Sequence, residues 1–239
     1  MDNRLKQIAD NFDKMKIGAD DKFMFNCTMC GKCCKDRDDI LLTPKDLFYM
    51  SRELGIRINE FINKYCDVYV GSSSKLPLVR LQPQGGMRIC PMLKNNKCSV
   101  HNVKPVVCAM FPLGRALRLD KENIAEKELT TADINFIFQN PGCGNKSKMH
   151  TVRGWLGQFG IPIEDEYFIK WQGTIVKLSG FLNNIQNNKD KAMLNKIYDI
   201  VFAGLYMVYD IEKDFYTQFI RNTEALNRWF TMQVFGGKK

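Results

Sequence analysis

The chain has 239 residues, 45% of them apolar. This length and composition predict an ordered globular protein with a core that needs no disulfide support, and they exclude a disordered chain. The formal net charge is +9. No run of Lys and Arg exceeds two residues, and metal-bound cysteines would lower the charge as thiolates. We therefore expect a solvated basic surface and no nucleic-acid partner.

From the sequence we expect neither a secretory leader nor a membrane span. Met1 to Asp21 carries charges throughout. The most apolar C-terminal run, Ile197 to Val208, contains Asp199 and is too short to cross a bilayer. We expect a cytoplasmic protein without a membrane partner. In a reducing compartment its nine cysteines are expected to be metal ligands or redox groups rather than disulfides.

The N-terminal half predicts short helices and strands around a cysteine-rich loop. Apolar residues at helical spacing predict a helix within residues 1–24, and the loop follows from Phe25 to Lys35. Ile40–Leu42 predicts a strand. Thr43 is predicted to cap a helix that ends at Gly55, and a second helix begins near Asn59.

Further along, the pattern predicts a hairpin, a tight turn and a strand pair. Leu78–Leu81 and Met87–Cys90 flank a Pro-Gln-Gly-Gly turn and read as the hairpin. Asn95-Asn96 predicts the turn that precedes Cys98. Strands are predicted over Gly114–Leu119 and Ile134–Phe138, and these two are candidates to pair.

After Cys143 the pattern becomes helical. Three apolar stripes at spacings of three and four residues predict three packing helices, and Gly236–Lys239 reads as a frayed tail. We predict an α+β fold in which an irregular β and loop region packs with N- and C-terminal helices. The expected segments are an N-terminal helix (1–24), a cysteine-cluster domain (25–160) and a helical region (161–239) packing on it.

Eight of the nine cysteines form two groups of candidate metal ligands. The groups are Cys27, Cys30, Cys33 and Cys34, followed by Cys90, Cys98, Cys108 and Cys143. The remaining Cys66 stands alone and reads as a small buried apolar residue. The spacing Cys27-x-x-Cys30-x-x-Cys33 matches three corners of a [4Fe–4S] cluster in bacterial ferredoxins.

The adjacent pair Cys33-Cys34 favours two neighbouring centres or one polynuclear centre, because side chains of neighbouring residues point apart. Zinc remains open, since four-thiolate zinc sites also use Cys-x-x-Cys pairs. His101 is a candidate ligand for a site of three thiolates and one imidazole, and His150 a weaker one. Lys104 is either a donor to a cluster sulfur or a solvent-facing lysine.

The stretch from Phe25 to Leu156 resembles the CxxCxxCC cysteine-cluster (YkgJ-type) family, described as zinc- or iron-chelating. The resemblance is carried by Cys27-x-x-Cys30-Gly31-x-Cys33-Cys34, by Cys90-Pro91-x-Leu93, by Lys104-Pro105-x-x-Cys108-x-x-Phe111-Pro112 and by Cys143-Gly144. Lys104 and Ala109 replace arginines that are usual in the family. One characterised relative is flagellin lysine N-methylase, which implies a [4Fe–4S] cluster and S-adenosylmethionine.

These observations give three hypotheses. In the first, the chain is an iron–sulfur enzyme that modifies a protein or peptide by methyl transfer or redox chemistry; one or two [4Fe–4S] clusters are expected. In the second, it is a non-enzymatic zinc- or iron-chelating protein, a metal carrier or a zinc-stapled interaction module, with zinc or mononuclear or polynuclear iron. The third, a simple electron carrier, ranks lowest. The sequence assigns no catalytic acid or base.

Overall fold

We describe the fold from a computed structural model, which describes residues 10–117, 128–185 and 190–235. The protein is α+β, as predicted: small antiparallel sheets and helices alternate along the chain. It divides into two compact units, and each is built from two separate stretches of chain. The first unit comprises Met1–Ile40 and Pro83–Gly173, and the second comprises Leu41–Gln82 and Thr174–Lys239. The three contiguous segments expected from the sequence remain a prediction.

The first unit contains short strands and helices joined by loops. Its elements are α1 (Phe12–Met15), β1 (Lys16–Ile17), β2 (Lys22–Asn26), β6 (Leu93–Lys94), β7 (Lys97–Cys98), α4 (Val106–Met110), β8 (Leu113–Leu117), β9 (Ile134–Phe138), β10 (Asn145–Thr151), α5 (Val152–Gly157) and the start of α6 (Glu166–Ile185). The strands form a sheet of order β1–β9–β8, a ribbon of β10 with β2, and a hairpin of β6 with β7.

A cluster of aromatic side chains forms the core of the first unit around Trp155. The edges of the Phe23 and Phe25 rings pack against Trp155, with centroids 6.0 and 5.6 Å away. The Trp155 indole N–H also donates a hydrogen bond of 3.1 Å to the Met110 carbonyl. These contacts join strand β2 to helices α4 and α5.

The N-terminal helix is much shorter than predicted in the part of the chain that the structure describes. The helix α1 covers Phe12–Met15, and Lys16–Ile17 and Lys22–Asn26 are strands. The physical reason is the alternation in β2, where Phe23 and Phe25 are buried while Lys22 and Met24 are exposed. Residues 1–9, where the predicted helix begins, lie outside the described residues.

The predicted β8–β9 pair is confirmed, as is the turn at Asn95-Asn96. Strands β8 and β9 are antiparallel, with Leu113 opposite Phe138 and Leu117 opposite Ile134. Asn95 and Asn96 have φ values of 49° and 60°, the left-handed conformation that a two-residue hairpin turn requires. They connect β6 to β7.

The second unit has a three-stranded sheet and the longer helices. Its elements are β3 (Leu41–Leu42), α2 (Pro44–Leu54), α3 (Ile58–Tyr65), β4 (Cys66–Val70), β5 (Pro77–Leu81), the end of α6, α7 (Lys191–Phe202) and α8 (Phe215–Phe235). The strand order is β3–β5–β4. A π-helical turn, Ala203–Met207, follows α7 directly.

Helix α2 begins and ends where the sequence predicts. The Thr43 hydroxyl accepts a hydrogen bond from the Asp46 N–H, and the Asp46 carboxylate accepts one from the Thr43 N–H, which is a capping box. The helix ends at Gly55, whose φ is 63°. Helix α3 also forms as predicted, from Ile58 to Tyr65.

The predicted strand at Leu78–Leu81 is confirmed as part of β5, but its predicted hairpin pairing with Met87–Cys90 is wrong. Strand β5 pairs with β4 and β3 instead, so that Val79 lies opposite Val68 and Leu42. Met87 is 73% exposed, and Ile89 makes only isolated bridges with Lys35 and Gln84. Strand β4 was not predicted, yet it fills the position that the second hairpin strand would have taken.

The three C-terminal helices are confirmed, with one change at the end of the second. The second predicted helix was expected to extend through Leu205. In the structure the α-helix ends at Phe202, and Leu205 lies in the π-helical turn that follows. Gly204 in this turn lies so close to Leu226 that an added Cβ would be 2.8 Å from its side chain. The predicted tail at 236–239 lies outside the described residues.

Among the described helices, none combines the length and apolar character needed to cross a membrane.

Candidate metal centre

All eight candidate cysteines belong to the first unit, whereas Cys66 belongs to the second. Each of the nine is a free thiol. The stretch Leu41–Gln82 separates the first four candidates from the other four along the chain, so their grouping in one unit is a product of the fold. The location of Cys66 in the other unit agrees with its interpretation as a residue outside the candidate metal site.

The β2–β10 ribbon holds Cys27 and Cys143 at the same end. Asn26 lies opposite Asn145 in the register, and each cysteine is one or two residues beyond this pair. Gly144, between Cys143 and the strand, has φ 71°, and an added Cβ would be 2.6 Å from the Asn26 carbonyl oxygen. Only glycine allows the two chains to approach this closely here.

His150 has a structural position in the ribbon. Its Nε2 is 2.9 Å from the Phe25 carbonyl oxygen, and its ring packs edge-on against Trp155 with centroids 4.9 Å apart. These contacts account for the residue without a metal.

The cysteine loop turns sharply between Cys30 and Cys34. Gly31 has φ 72°, and Lys32–Cys34 forms a single 3₁₀ turn. The turn brings the Cys33 and Cys34 sulfurs to 4.0 Å from each other. Two thiolates on one tetrahedral zinc ion stand about 3.8 Å apart, because each Zn–S bond is about 2.3 Å. The sulfurs therefore lie at the spacing of metal-bound thiolates.

Backbone hydrogen bonds connect this loop to the next pair of cysteines. The Cys90 N–H donates to the Cys34 carbonyl at 2.8 Å, and the Leu93 N–H donates to the Cys90 carbonyl at 2.9 Å. Leu93 lies opposite Cys98 in the β6–β7 hairpin. Cys34, Cys90 and Cys98 are thus linked through a short series of main-chain contacts.

Helix α4 carries Cys108 and is anchored on both sides. Pro105 precedes the helix, and its carbonyl accepts hydrogen bonds from the N–H groups of Cys108 and Ala109. Phe111 follows it and packs edge-on against Phe25, with centroids 6.0 Å apart. Together with the Trp155 hydrogen bond to Met110, these contacts fix the position of the helix that carries Cys108.

The thiols differ in their tendency to ionise. The hydrogen bond from Cys34 lowers the pKa of Cys33 to about 6, with Arg37 and Lys104 contributing positive charge. The same hydrogen bond, together with burial, raises the pKa of Cys34. The N–H of Lys32 lowers the pKa of Cys30, while burial raises the pKa values of Cys90 and Cys143.

Lys104 and His101 lie beside the Phe159 ring. The Lys104 ammonium is 4.1 Å from the ring centroid, and the His101 ring centroid is 6.3 Å away. Burial, and then the Lys104 charge, lowers the pKa of His101. Whether His101 is a ligand stays a prediction.

The acidic residues after the cysteine loop are engaged in ion pairs. Asp39 pairs with Arg37, while Asp36 and Asp38 both pair with Arg88. Sequence reasoning did not identify either arginine. Arg37 has electrostatic interactions with Cys33 and Cys108. Its only sequence signal is a position three residues after Cys34.

The eight cysteine thiols are chemically suited to bind a metal. In the part of the chain that the structure describes, however, their sulfurs come together only in pairs. Thiols are the ligands that zinc and iron–sulfur clusters take in proteins. Within the described residues, no three or more His, Cys, Asp or Glu side chains surround one point closely enough to hold a metal ion. Cys27 and Cys30 are exposed, and the other six are half-buried. Binding therefore requires the sulfur pairs to converge.

Comparison with known proteins shows what this region is similar to. Residues 26–133, less than half of the chain, match the model of the CxxCxxCC family, described as a "Putative zinc- or iron-chelating domain". Among curated proteins, the chain is 26% identical over 175 residues to the uncharacterised protein MJ0661 of Methanocaldococcus jannaschii. This match covers 73% of the present chain and 81% of that protein. No solved structure matches.

The match supports metal binding, with zinc or iron as the metal. It ends at residue 133 and so includes seven of the eight candidate cysteines; Cys143 lies beyond it. The case for Cys143 therefore depends on the ribbon geometry.

Proposed function

We propose that the first unit binds an iron–sulfur cluster through its cysteine thiolates and acts on a protein or peptide. The observation that carries this proposal is the collection of eight thiols, from both sides of a long insertion, in one compact unit. Metal-bound thiolates are the usual role of such a group in a reducing compartment. The family description independently supports zinc or iron.

The residues expected to hold a cluster are Cys27, Cys30 and Cys33 with a fourth cysteine. Their spacing is that of three ligands of a [4Fe–4S] cluster. A bound cluster with an open iron position supplies a Lewis acid or an electron source. The fourth ligand favoured by the ribbon is Cys143, at the same end as Cys27.

The surrounding residues favour an anionic centre with one accessible side. The positive charges of Arg37 and Lys104 favour the Cys33 thiolate, and the Lys32 N–H does the same for Cys30. Cys27 and Cys30 are exposed, so a polypeptide substrate could approach from their side. Methyl transfer with S-adenosylmethionine rests on resemblance to the methylase alone.

Anaerobic purification tests the cluster. We expect a brown protein with iron and acid-labile sulfide in equal amounts, and an EPR signal after reduction. Substitution of Cys27, Cys30 and Cys33 by Ser should abolish the colour, while Cys66→Ser should keep it. A colourless wild-type protein without iron or sulfide would contradict the proposal.

Activity needs a separate test. The cluster-loaded protein is incubated with S-adenosylmethionine and lysine-rich proteins from its own cell extract, and methylation is followed by mass spectrometry. We expect methylated lysines that are absent with the triple serine variant. Equal labelling with both proteins would contradict a cluster-dependent methyl transfer.

A non-enzymatic metal carrier is the second candidate function. It is favoured by the exposure of Cys27 and Cys30 and by the pairwise arrangement of the sulfurs, because an open site can pass its metal to another protein. This function predicts bound zinc or iron without sulfide and transfer to an acceptor within minutes. Metal that remains bound in the presence of an acceptor would contradict it.

A further inference from the structure

We propose that the exposed face of the β2–β10 ribbon binds an acidic segment of the protein or peptide substrate. This surface, the ribbon face, consists of Lys22 and Met24 on β2, Met149 on β10 and the lysines of Lys146–Lys148 at the start of β10. The inference rests on the proposed function for the existence of a polypeptide substrate. It adds the chemistry by which that substrate is recognised.

Two methionines form an exposed apolar pair at the centre of the ribbon face. Met24 lies directly opposite Met149 in the antiparallel register, so the two side chains are on the same side of the ribbon. They are 41% and 59% exposed. Phe23 and Phe25 join the opposite side of the ribbon to the core around Trp155. Methionine is enriched at protein–protein interfaces, where its flexible thioether adapts to the partner.

An irregularity in β10 exposes two lysines at the cysteine end of the ribbon. The register shifts within the strand, so that Lys146–Lys148 stands opposite Phe25 alone. All of this segment is exposed, and the Asn145 side-chain oxygen accepts a hydrogen bond of 3.0 Å from the Ser147 N–H. Bulges of this kind often redirect side chains beside a functional site. Here the bulge presents Lys146 and Lys148 shortly after Cys143.

The ribbon carries positive charge without acidic residues. Residues 22–35 and 140–153 contain no Asp or Glu. The side chains of Lys22, Lys146 and Lys148 form no ion pair or hydrogen bond within the part of the chain that the structure describes. Arg153, just beyond the ribbon, is by contrast paired with Asp20. The three lysines are therefore available to the carboxylates of a partner, which is electrostatic complementarity.

The charges extend along the whole ribbon rather than surrounding the cysteines. Lys22 is paired with Thr151 at one end, whereas Asn26, which leads to the exposed Cys27, is at the other. These ends are about 13 Å apart, because an extended strand advances about 3.4 Å per residue. This distance exceeds the Debye length of roughly 10 Å at 0.1 M salt. Lys22 therefore serves a partner that lies along the ribbon and reaches the cysteines.

The same face lacks the groups that other anionic partners use. Single-stranded nucleic acids stack their bases on exposed aromatic rings, and both aromatic side chains of β2 are buried. Anionic membranes are bound by amphipathic helices with a wide apolar side, whereas this surface is a short strand pair. A methionine pair between lysines fits a polypeptide segment in which Asp or Glu flanks apolar residues.

Selection from phage-displayed random peptides of about eight residues, long enough to span the ribbon, tests the specificity. The purified full-length protein is the bait. We expect the selected peptides to contain at least about twice as much Asp and Glu as the library, beside an apolar residue. Selection of basic or neutral peptides, or no selection at all, would overturn the proposal.

Charge reversal locates the binding of the selected acidic peptide. The double variant Lys146→Glu, Lys148→Glu should weaken binding of the fluorescein-labelled peptide at least about tenfold. The matched control is Lys94→Glu, Lys97→Glu, which reverses two exposed lysines in the β6–β7 hairpin. It should weaken binding less than about twofold. Equal losses would show attraction to the net charge alone and would reject the ribbon face.

Substitution of the methionine pair tests the apolar centre. Met24→Gln, Met149→Gln should weaken binding at least about threefold at both about 50 mM and about 500 mM salt, because apolar contact is not screened. Met87→Gln, at a 73% exposed position outside the ribbon, should leave the affinity unchanged. Wild-type affinity in the double variant would contradict the proposed face.

Two measurements on the wild-type protein do not depend on any variant. A photo-reactive group on the selected peptide should cross-link to Lys22–Asn26 or Asn145–Thr151, and cross-links confined to other segments would overturn the proposal. Oligouridylate and phosphatidylglycerol vesicles are then compared as competitors. Tighter binding of either one than of the acidic peptide would replace the polypeptide partner.

Metal and sulfide content are measured on the same preparation, and peptide binding is repeated after treatment with chelator. A protein that contains iron and sulfide but selects no acidic peptide would overturn the ribbon face and leave the proposed function in place. A protein that binds the acidic peptide but contains neither iron nor sulfide would overturn the proposed cluster and leave the ribbon face in place. The two failures are thus distinguishable.

Discussion

The two units obtain their internal order from different sources. Among the described residues, the twelve largest side chains that are almost completely buried include eleven from the second unit; Leu156 is the one from the first. The second unit thus has a dense apolar interior, with Phe48, Phe61 and Phe215 fully enclosed. The first unit has a smaller aromatic cluster around Trp155 and carries all eight candidate cysteines.

The difference suggests which unit depends on metal. Burial of a large aromatic or aliphatic side chain contributes roughly 1.5–3 kcal/mol, so the second unit has ample stabilisation from its interior. The first unit has more loop and fewer enclosed side chains. We expect metal binding to contribute to the stability of the first unit and to leave the second unit nearly unchanged.

Thiol reactivity should show the largest difference between the units. Burial raises the pKa of Cys66, in the second unit, to about 12, whereas the pKa of the exposed Cys30 is lowered below its usual value of 9.0. Only the thiolate reacts, and at pH 8 a pKa near 12 leaves about one thiol in ten thousand ionised. In metal-free protein, we expect Cys66 to be alkylated at least about a thousandfold more slowly than Cys30.

Mass spectrometry after timed alkylation with iodoacetamide checks this expectation. Unfolding in urea serves as the control, because it should bring the two rates together. Similar rates in the folded protein would mean that the Cys66 thiol is not shielded.

Substitution of Gly144 should affect the first unit alone. In Gly144→Ala the Cβ would meet the Asn26 carbonyl at 2.6 Å, at a φ of 71° that favours glycine. We expect a loss of about 2–3 kcal/mol in the unfolding free energy of this unit. Metal affinity should fall with it, because the ribbon end that carries Cys27 and Cys143 opens.

Gly142→Ala is the matched control. Gly142 has no heavy atom within 4 Å of an added Cβ, and its φ is not in the left-handed region. Its substitution should change stability by less than about 0.5 kcal/mol. Urea unfolding followed by Trp fluorescence and metal titration measure both variants, and equal behaviour would contradict the role assigned to Gly144.

The smallest effect is expected at the start of helix α2, in the second unit. Thr43→Ala removes the hydroxyl that accepts from the Asp46 N–H and donates to the Asp46 carboxylate at 2.7 Å. Loss of such a cap costs about 1 kcal/mol. Thr43→Ser keeps the hydroxyl and should stay within about 0.5 kcal/mol of the wild type. Chemical denaturation measures both, and metal content should not change in either.

Local signals account for the parts of the fold that the sequence predicts well. The capping box at Thr43, the glycine at position 55 and the Asn95-Asn96 turn each act within a few residues, so their chemistry can be read directly from the chain. Likewise, the spacing of Cys27, Cys30 and Cys33 predicts a metal-binding loop without reference to the rest of the molecule.

Long-range pairing accounts for the parts that the sequence does not predict. Strand β10 begins Asn-Lys-Ser-Lys, residues with little strand preference, and forms because β2 supplies the partner and the buried Phe23 and Phe25. The predicted pairing of β5 with Met87–Cys90 does not form because β3 and β4 occupy the two edges of β5, and the sequence did not predict β4. For the same reason the spacing alone could not join Cys143 to Cys27.

The interleaved stretches of the two units have a consequence for synthesis. The first unit is complete once residue 173 has left the ribosome, while the second unit still lacks its last stretch, 174–239. Until helices α7 and α8 have been synthesised, the apolar side chains of Leu41–Gln82 lack these packing partners. A fragment cut to the family segment 26–133 would keep these residues in that unfinished state. Expression trials should therefore retain the chain through α8, even when only the cysteines are of interest.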